Sequence, residues 1–307
     1  MLWILLACQA PQTGEEVEKE KPLPYIFEEE ALPEPSVDAA AVEAAALAGV
    51  ERALQLRAQP VFTAYEAAMS ASEAGCPDYY DYDGNMYWYD NCSTSGGGYW
   101  SGYSFYVRYQ NLDDGSGNLY NGESLSGVSR IETPDGHVFE AGGAAYYYDL
   151  THVAANENDI DYTYFLSVVQ GSFVYDGPET TGSWVEEDVS PDLVYTAAYV
   201  PSMDGHLTSL DGSVGGLTGT IAYLVFDSLT LYDAALTTCP EEPGGGFSVR
   251  GSDGYWYDVT FDGATDWGEA VRPADCDGCG TLWFEGEELG QVCVDFRQLV
   301  DWKESPW

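Results

Sequence analysis

The chain has 307 residues, of which 52 are acidic and 10 are basic, so its formal net charge is −42. A surface of this sign repels nucleic acid, because binding to phosphates depends on lysine and arginine, and a nucleic-acid partner is therefore excluded. Hydrophobic residues make up 45% of the chain, which is enough for a core, and its 24 Tyr, 9 Trp and 34 Gly favour strands and tight turns.

The amino terminus carries a short apolar run at residues 2–7, followed by Cys8. Leu5 stands three residues before the cysteine and the small Ala7 stands directly before it, although no basic residue precedes the run. This pattern resembles the lipobox of bacterial lipoprotein signal peptides. The resemblance implies cleavage before Cys8, lipid attachment to its thiol and an exported protein held on the membrane by the lipid. Gln9, where an aspartate retains such lipoproteins at the inner membrane, favours the outer membrane, in a periplasmic or surface-facing position.

Residues 9–35 combine five prolines with many glutamates, which predicts a disordered acidic linker. Residues 36–75 predict a helical segment, with Ser36 as the N-cap and with Pro60 separating a first helix from a second at residues 61–72. We expect both helices to dock on the sheet that follows. The side chains expected to share their buried faces are Leu47, Val50, Leu54, Val61, Phe62, Tyr65 and Met69.

From residue 76 onward the pattern predicts a mainly β fold: an antiparallel sheet or sandwich with many tight hairpins. We assign residues 76–238 to an antiparallel β domain and residues 239–307 to a disulfide-stitched β subdomain. Strands with apolar residues on both faces, at residues 163–169, 193–200 and 221–226, are expected in the middle of a sandwich or beneath a helix. Asp-Gly pairs, which favour tight turns, begin at residues 83, 114, 135, 176, 204, 211, 253, 262 and 277.

Six cysteines remain once Cys8 is assigned to lipid, and an even number in an exported protein predicts three disulfides. The close spacing of Cys76 and Cys92 predicts that these two pair with each other. The pairing of the other four stays open, namely Cys239, Cys276, Cys279 and Cys293. The same four thiols form an alternative zinc set, but the oxidising compartment favours disulfides, and no metal or other cofactor is assigned.

Residues 79–90 are rich in tyrosine, tryptophan and aspartate. Aromatic faces stack on sugars and carboxylates accept sugar hydroxyls, so this stretch predicts a glycan site with Trp88 and Trp100 as stacking platforms. Two carboxylates at a suitable separation would even hydrolyse a glycosidic bond. The alternative is a half-buried hairpin closed by Cys76 and Cys92, in which the aromatic residues simply pack on the sheet.

A turn at residues 113–118 clusters aspartate, serine and asparagine oxygens, as calcium loops do, although it lacks the register of an EF-hand. Motifs for metalloproteases, serine hydrolases and phosphate-binding loops do not occur, so no catalytic residue is assigned. The interpretation that follows is a lipid-anchored envelope or surface protein with a non-enzymatic binding or structural role and a glycan or an envelope protein as partner. The alternatives are a glycan-binding or glycan-hydrolysing protein and a calcium-dependent adhesion module.

Overall fold

The computed structural model describes residues 33–55, 57–82, 85–113, 115, 118–152, 162–177, 192–217, 221–266 and 268–300. The proposed lipidation site at Cys8 and residues 9–32 of the expected linker lie outside these residues, so both remain predictions. The part that is described forms one compact unit from Pro35 onward.

Two helices precede the strands: α1 at Ala39–Gln55 and α2 at Ala58–Met69. A 3-10 helix at Arg297–Leu299 follows the last strand. The described strands are β1 Tyr79–Tyr82, β2 Asn85–Ser93, β3 Tyr99–Asp113, β4 Asn118–Glu132, β5 Val138–His152, β6 Tyr162–Tyr175, β7 Asp192–Val200, β8 Gly205–Gly215, β9 Ile221–Tyr232, β10 Gly244–Gly251, β11 Trp256–Thr260, β12 Cys279–Phe284 and β13 Glu287–Cys293.

The strands form a single sheet in which each strand pairs antiparallel with the next one along the chain. The prediction of a mainly β, antiparallel fold preceded by a short helical segment is therefore confirmed. Of the two architectures expected, the chain adopts the single sheet and not a sandwich. The ladder between β9 and β10 carries this sheet across the boundary that we placed at residue 239.

Both helices lie on the same side of the sheet, which we call the inner face, and the opposite side is the outer face. Helix α2 packs on β4, β5 and β6, whereas α1 packs on β8, β9 and β13. The apolar strands predicted at residues 163–169 and 221–226 are β6 and β9, so each lies beneath a helix as expected. The core therefore forms between the helices and one face of the sheet, and the outer face is left for other contacts.

The helix boundaries differ from the prediction at two residues. Asp38 is the cap of α1, since its Oδ1 accepts a hydrogen bond from the backbone N–H of Ala41 at 2.9 Å. Ser36 is instead tied to β11, because its backbone N–H donates to the Tyr257 hydroxyl at 2.9 Å. Pro60 lies within the first turn of α2, where a proline costs little since that turn has no N–H partner inside the helix.

The expected inward faces of the helices are largely confirmed. Val50, Val61, Phe62 and Tyr65 are each at most 1% exposed, whereas Leu47 is 40% exposed and contradicts the prediction. The Tyr65 ring lies 5.3 Å from the Tyr106 ring and 5.6 Å from the Phe139 ring, measured between centroids. Aromatic contacts between α2 and the long strands thus hold this half of the core together.

A row of glycines crosses the sheet where Gly127, Gly143 and Gly171 are paired on β4, β5 and β6. A Cβ added to Gly143 would lie 2.0 Å from the carbonyl oxygen of Gln170, and one added to Gly127 would lie 2.3 Å from that of Tyr103. Glycine rows of this kind let a sheet bend sharply, because neighbouring backbones approach more closely than a side chain permits. Residue identity at three aligned positions therefore permits this close approach of the backbones.

The Asp-Gly pairs have two different roles. Those beginning at Asp135, Asp204 and Asp253 lie in turns, as predicted. The pair Asp211-Gly212 instead lies inside β8, where the register to β9 shifts, so it forms a bulge and the turn prediction is wrong there. The pair beginning at residue 83 lies outside the described residues, and so does Asp114 of the next pair.

Candidate functional site

The six cysteines in the described part of the chain are joined in three disulfides, which confirms the number predicted from composition. Cys76 pairs with Cys92 as expected, and the pairs left open are Cys239–Cys276 and Cys279–Cys293. Cys239, Cys276 and the carboxylate of Glu241 lie close enough together to resemble a metal site. The two sulfurs are bonded to each other and are not thiolates, so the alternative zinc set does not form in this oxidised state.

The Cys76–Cys92 bond anchors the hairpin of β1 and β2, in which Tyr80 pairs with Tyr87 and Tyr79 pairs with Trp88. Strand β2 then pairs with β3. The hairpin predicted for the stretch of residues 79–90 is therefore present. Successive side chains alternate between the two faces of the sheet, so half of this stretch faces the helices and half faces outward.

The two tryptophans expected to be stacking platforms belong to the inner half. Trp88 is 3% exposed and Trp100 is 0% exposed, so neither indole presents an open face on which a sugar could stack. The Trp88 Nε1–H donates to the Tyr65 hydroxyl at 3.0 Å, and the Ser104 hydroxyl donates to the same oxygen at 3.0 Å. Their assignment as platforms is therefore corrected: both indoles belong to the buried core, and Trp88 contacts Tyr65 of α2.

The outer half of the same strands carries a cluster that the sequence prediction did not single out. We call it the aromatic patch, and it consists of Tyr80, Tyr87, Tyr89, Tyr103 and Phe105. Tyr80 is 66% exposed, Tyr89 is 82% exposed and Phe105 is 45% exposed. Exposed aromatic clusters of this kind mark interaction sites, since rings that serve only to pack are normally covered.

Strand pairing brings the rings of the aromatic patch together. Tyr87 pairs with Phe105 and Tyr89 pairs with Tyr103 across β2 and β3. The Tyr89 and Tyr103 rings are nearly parallel, with an interplanar angle of 23° and a centroid separation of 6.5 Å. Phe105 lies 5.8 Å from Tyr87 and 5.7 Å from Tyr103, in edge-to-face contacts. These contacts hold the rings in fixed positions, so a ligand meets a preorganised surface.

An open groove of about 360 Å³ runs beside the patch. Its walls include Asp78, Tyr79 and Tyr80 together with Tyr87 and Phe105. The groove therefore combines aromatic faces with one carboxylate at its rim. Such a site offers stacking surfaces and hydrogen-bond acceptors to a ligand that carries both apolar faces and hydroxyl groups.

A second, polar cavity of about 310 Å³ lies at the far end of β3 and β4. The amides of Gln110, Asn111 and Asn121 line it together with Arg108 and Glu123. The Arg108 guanidinium contacts both Glu123 and Glu66, which ties α2 to the sheet. The arginine is therefore held by two carboxylates, and the cavity is shaped mainly by amides and tyrosines.

A third cavity, of about 820 Å³, lies where α1, the start of β8, the end of β9 and the 3-10 helix meet. His206 and Asp233 line it as a pair, with 3.0 Å between Nδ1 and Oδ2. Asp295 accepts three hydrogen bonds from Arg297, two from its guanidinium and one from its backbone N–H, and these lower the pKa of the Asp295 carboxyl to about 2. No serine, threonine or cysteine is among the described residues that line this cavity, so the histidine has no nucleophile beside it for a hydrolase triad.

Hydrolysis of a glycosidic bond would need a carboxyl held protonated near neutral pH. Burial raises the pKa of Glu242, but this carboxylate accepts hydrogen bonds from the backbone N–H groups of Asp262, Asp277 and Gly278. Those bonds hold two loops of the carboxy-terminal part together. The position of Glu242 therefore assigns it a structural role.

The expected calcium loop is only partly described. The Gly115 N–H donates to Asp113 Oδ1 at 2.7 Å, which is an ordinary aspartate turn. Asp114, Ser116 and Gly117 lie outside the described residues, so calcium binding stays a prediction.

No helix in the described part of the chain has both the length and the apolar character needed to span a bilayer. Comparisons with protein-family models, with curated proteins and with solved structures give no significant match.

Proposed function

We propose that the protein is an exported, lipid-anchored binding protein whose ligand is a neutral carbohydrate held on the aromatic patch. The observation that carries this proposal is the exposure of preorganised tyrosine and phenylalanine rings on the outer face of β2 and β3. The role is non-enzymatic and rests on recognition alone.

The chemistry of the patch matches a sugar better than other ligand classes. The faces of pyranose rings present C–H groups that pack on aromatic rings, while the sugar hydroxyls need acceptors such as the Asp78 carboxylate at the rim of the groove. An anionic ligand is disfavoured by the net charge of −42. A purely apolar ligand would cover the Asp78 carboxylate without offering it a hydrogen bond.

The export and anchoring part of the proposal rests on the amino terminus. The apolar run that ends at Cys8 supplies the attachment site, and the acidic linker that follows would keep the sheet away from the membrane. Three disulfides are compatible with an oxidising compartment. Replacing Cys8→Ser should move the protein from the membrane fraction to the soluble fraction of cells. Retention of the variant on the membrane would contradict the anchor.

Carbohydrate binding is tested by thermal unfolding of the full-length oxidised chain, which carries Cys8→Ser so that it stays free of lipid. A ligand that binds only the folded state raises the stability by RT ln(1 + [L]/Kd), so a binding glycan must raise the melting temperature. We expect a shift with neutral oligosaccharides, such as those of glucose or N-acetylglucosamine, and none with a sulfated polysaccharide.

Two variants locate the binding to the patch. Tyr89→Ala removes an exposed ring of the patch and should abolish the shift. Trp256→Ala removes a ring that is 40% exposed on β11, outside the patch, and should leave the shift intact. No shift with any neutral glycan, or equal loss in both variants, would overturn the proposal.

A further inference from the structure

The outer face of β4 forms the floor of a shallow channel, which we call the serine trough. Its floor consists of Gly122, Ser124 and Ser126, which alternate with inward-facing residues of the strand. The walls come from the neighbouring strands, where larger side chains are paired with these three positions except at Ala144, which leaves the β5 side low beside Ser126. The rows across β3, β4 and β5 are Tyr109–Gly122–Tyr148, Val107–Ser124–Tyr146 and Phe105–Ser126–Ala144.

The dimensions of the trough follow from the sheet itself. Adjacent strands are about 4.8 Å apart, so the walls on β3 and β5 are separated by about 10 Å. The floor lies low because glycine and serine project little above the backbone, and Ser126 is exposed. A channel of this width admits an extended chain of small rings but not a folded protein domain.

One end of the trough is closed by tyrosines. The Tyr109 and Tyr148 rings lie 5.8 Å apart across Gly122. A Cβ added to Gly122 would lie 2.8 Å from Cδ1 of Tyr148, so the glycine makes room for that ring. Tyr146 continues the same wall, with its ring 5.6 Å from that of Tyr148.

The other end of the trough is continuous with the aromatic patch. Phe105 belongs to both, because its ring contacts Tyr87 and Tyr103 while its backbone pairs with Ser126. A ligand on the patch that extends past Phe105 therefore enters the trough.

The trough is also uncharged in a chain that carries 52 acidic residues. The described residues that face outward along the patch and the trough, from Tyr87 on β2 to Tyr148 on β5, carry no charged side chain. The first charged side chains on this face lie beyond the patch, at Arg130 and Glu140, which form an ion pair with each other. A channel that offers hydroxyls and aromatic rings without charge is complementary to a neutral, hydroxyl-rich chain. A cationic peptide would find no carboxylate along this channel, and a polyanion would find no lysine or arginine.

We infer that the ligand is a linear neutral polysaccharide that spans the patch and the trough, and not a single terminal sugar. This inference rests on the proposed function and adds the length of the ligand and its path: from Tyr89, past Phe105, along β4 to Tyr109 and Tyr148. Affinity should then increase as an oligosaccharide grows long enough to reach the tyrosines at the closed end.

Calorimetric titration of the full-length Cys8→Ser chain with a neutral oligosaccharide series from two to six sugars tests the path. For the chain with an unchanged binding face we expect the dissociation constant to fall by about tenfold or more between the shortest and the longest member, because each added stacking contact tightens binding. Tyr148→Ala should remove this gain for the long members and leave the shortest unaffected. Ser126→Trp, which fills the floor, should do the same.

The outcomes separate this inference from the proposed function. If the dissociation constant is independent of length, or if Tyr148→Ala weakens short and long members equally, the path along β4 is overturned while binding at the patch stands. If no member binds, the proposed function itself fails. If Tyr148→Ala instead converts a dimer to a monomer in sedimentation, the trough is an interface between two copies of the chain and the inference is wrong.

Discussion

Tyr65 shows how one side chain on a helix determines which face of a strand is buried. Its hydroxyl accepts hydrogen bonds from the Trp88 indole and the Ser104 hydroxyl, on two neighbouring strands. Burial raises the pKa of this tyrosine, so it remains neutral at physiological pH. The helix thereby draws Trp88 inward, and Tyr87 and Tyr89 are turned to solvent.

The substitution Tyr65→Phe should destabilise the protein by about 1–3 kcal/mol, because it leaves two buried donors without their acceptor. Urea unfolding monitored by tryptophan fluorescence measures the change. The control is Tyr89→Phe, which removes the hydroxyl of an exposed tyrosine and should leave the unfolding midpoint unchanged. Equal effects of the two substitutions would contradict the role of Tyr65.

Asp295 gives a prediction of pH dependence. Its hydrogen bonds to Arg297 lower the pKa of the folded state to about 2, below its ordinary value of 3.8. The lowered pKa of Asp295 stabilises the folded state at pH values above 3.8, and this stabilisation is lost as the pH falls from 3.8 towards 2.

Asp295→Asn should therefore lower the urea midpoint near pH 6, and the difference from the parent should shrink as the pH approaches 2. Arg297→Gln removes the guanidinium hydrogen bonds but keeps the backbone one, so it should give a profile of the same shape with a smaller amplitude. A difference that stays constant over this range would show that the ion pair is not the cause.

At the scale of elements, the glycine row determines how closely β4, β5 and β6 approach. Gly142 and Gly143 are neighbours on β5 with different surroundings. A Cβ on Gly143 meets the fixed backbone of β6, whereas a Cβ on Gly142 meets only the hydroxyl of Ser172 at 2.9 Å, which is free to rotate away.

Gly143→Ala should consequently destabilise the protein by about 1–3 kcal/mol or more, while Gly142→Ala should have an effect within about 0.5 kcal/mol. Chemical denaturation of both variants measures the difference. Similar values for the two would mean that the sheet relaxes easily at this row.

The disulfides offer a matched test that links an element to the proposed site. The Cys76–Cys92 bond closes a loop with a sequence separation of 16, and the Cys279–Cys293 bond closes one of 14, so the chain-entropy model assigns each about 3 kcal/mol. Only the first holds the hairpin that carries Tyr80, Tyr87 and Tyr89.

Replacing both cysteines of either pair by alanine should lower the stability by a similar amount. Only the Cys76→Ala/Cys92→Ala variant should also weaken oligosaccharide binding, measured well below the melting temperature of both variants. Loss of binding in the Cys279→Ala/Cys293→Ala variant as well would place the ligand elsewhere or show that binding depends on stability alone.

At the scale of the whole molecule, the net charge of −42 produces repulsion among the carboxylates of the folded state. Raising the sodium chloride concentration shortens the screening length from about 30 Å at 0.01 M to about 3 Å at 1 M. The melting temperature at pH 7 should therefore rise by several degrees over this range.

The control for this salt effect is the same titration near pH 4.1, the isoelectric point of the sequence, where the net repulsion vanishes. The increase with salt should then be small. An equal increase at both pH values would assign the effect to salt exclusion from apolar surface and not to charge.

Local patterns by themselves determined the antiparallel sheet, the hairpins, the two helices and the Cys76–Cys92 bond. These features are set by interactions within some ten to twenty residues: the two-residue period of strands, glycine turns and a short loop between cysteines. The same period showed that Tyr103, Phe105, Val107 and Tyr109 share one face of β3. It did not show which of the two faces is buried.

Only the tertiary structure determines which face of β3 is buried, and therefore where the candidate site lies. Both faces of β2 and β3 carry aromatic residues, so hydropathy does not distinguish them. Helix α2 covers the face with Trp88, Trp100 and Tyr106, since Phe62 and Tyr65 pack there. The other face remains open, and the serine trough exists only because β4 pairs with β3 and β5 in one register. Such contacts join residues that are distant in sequence, which is why no local pattern could reveal them.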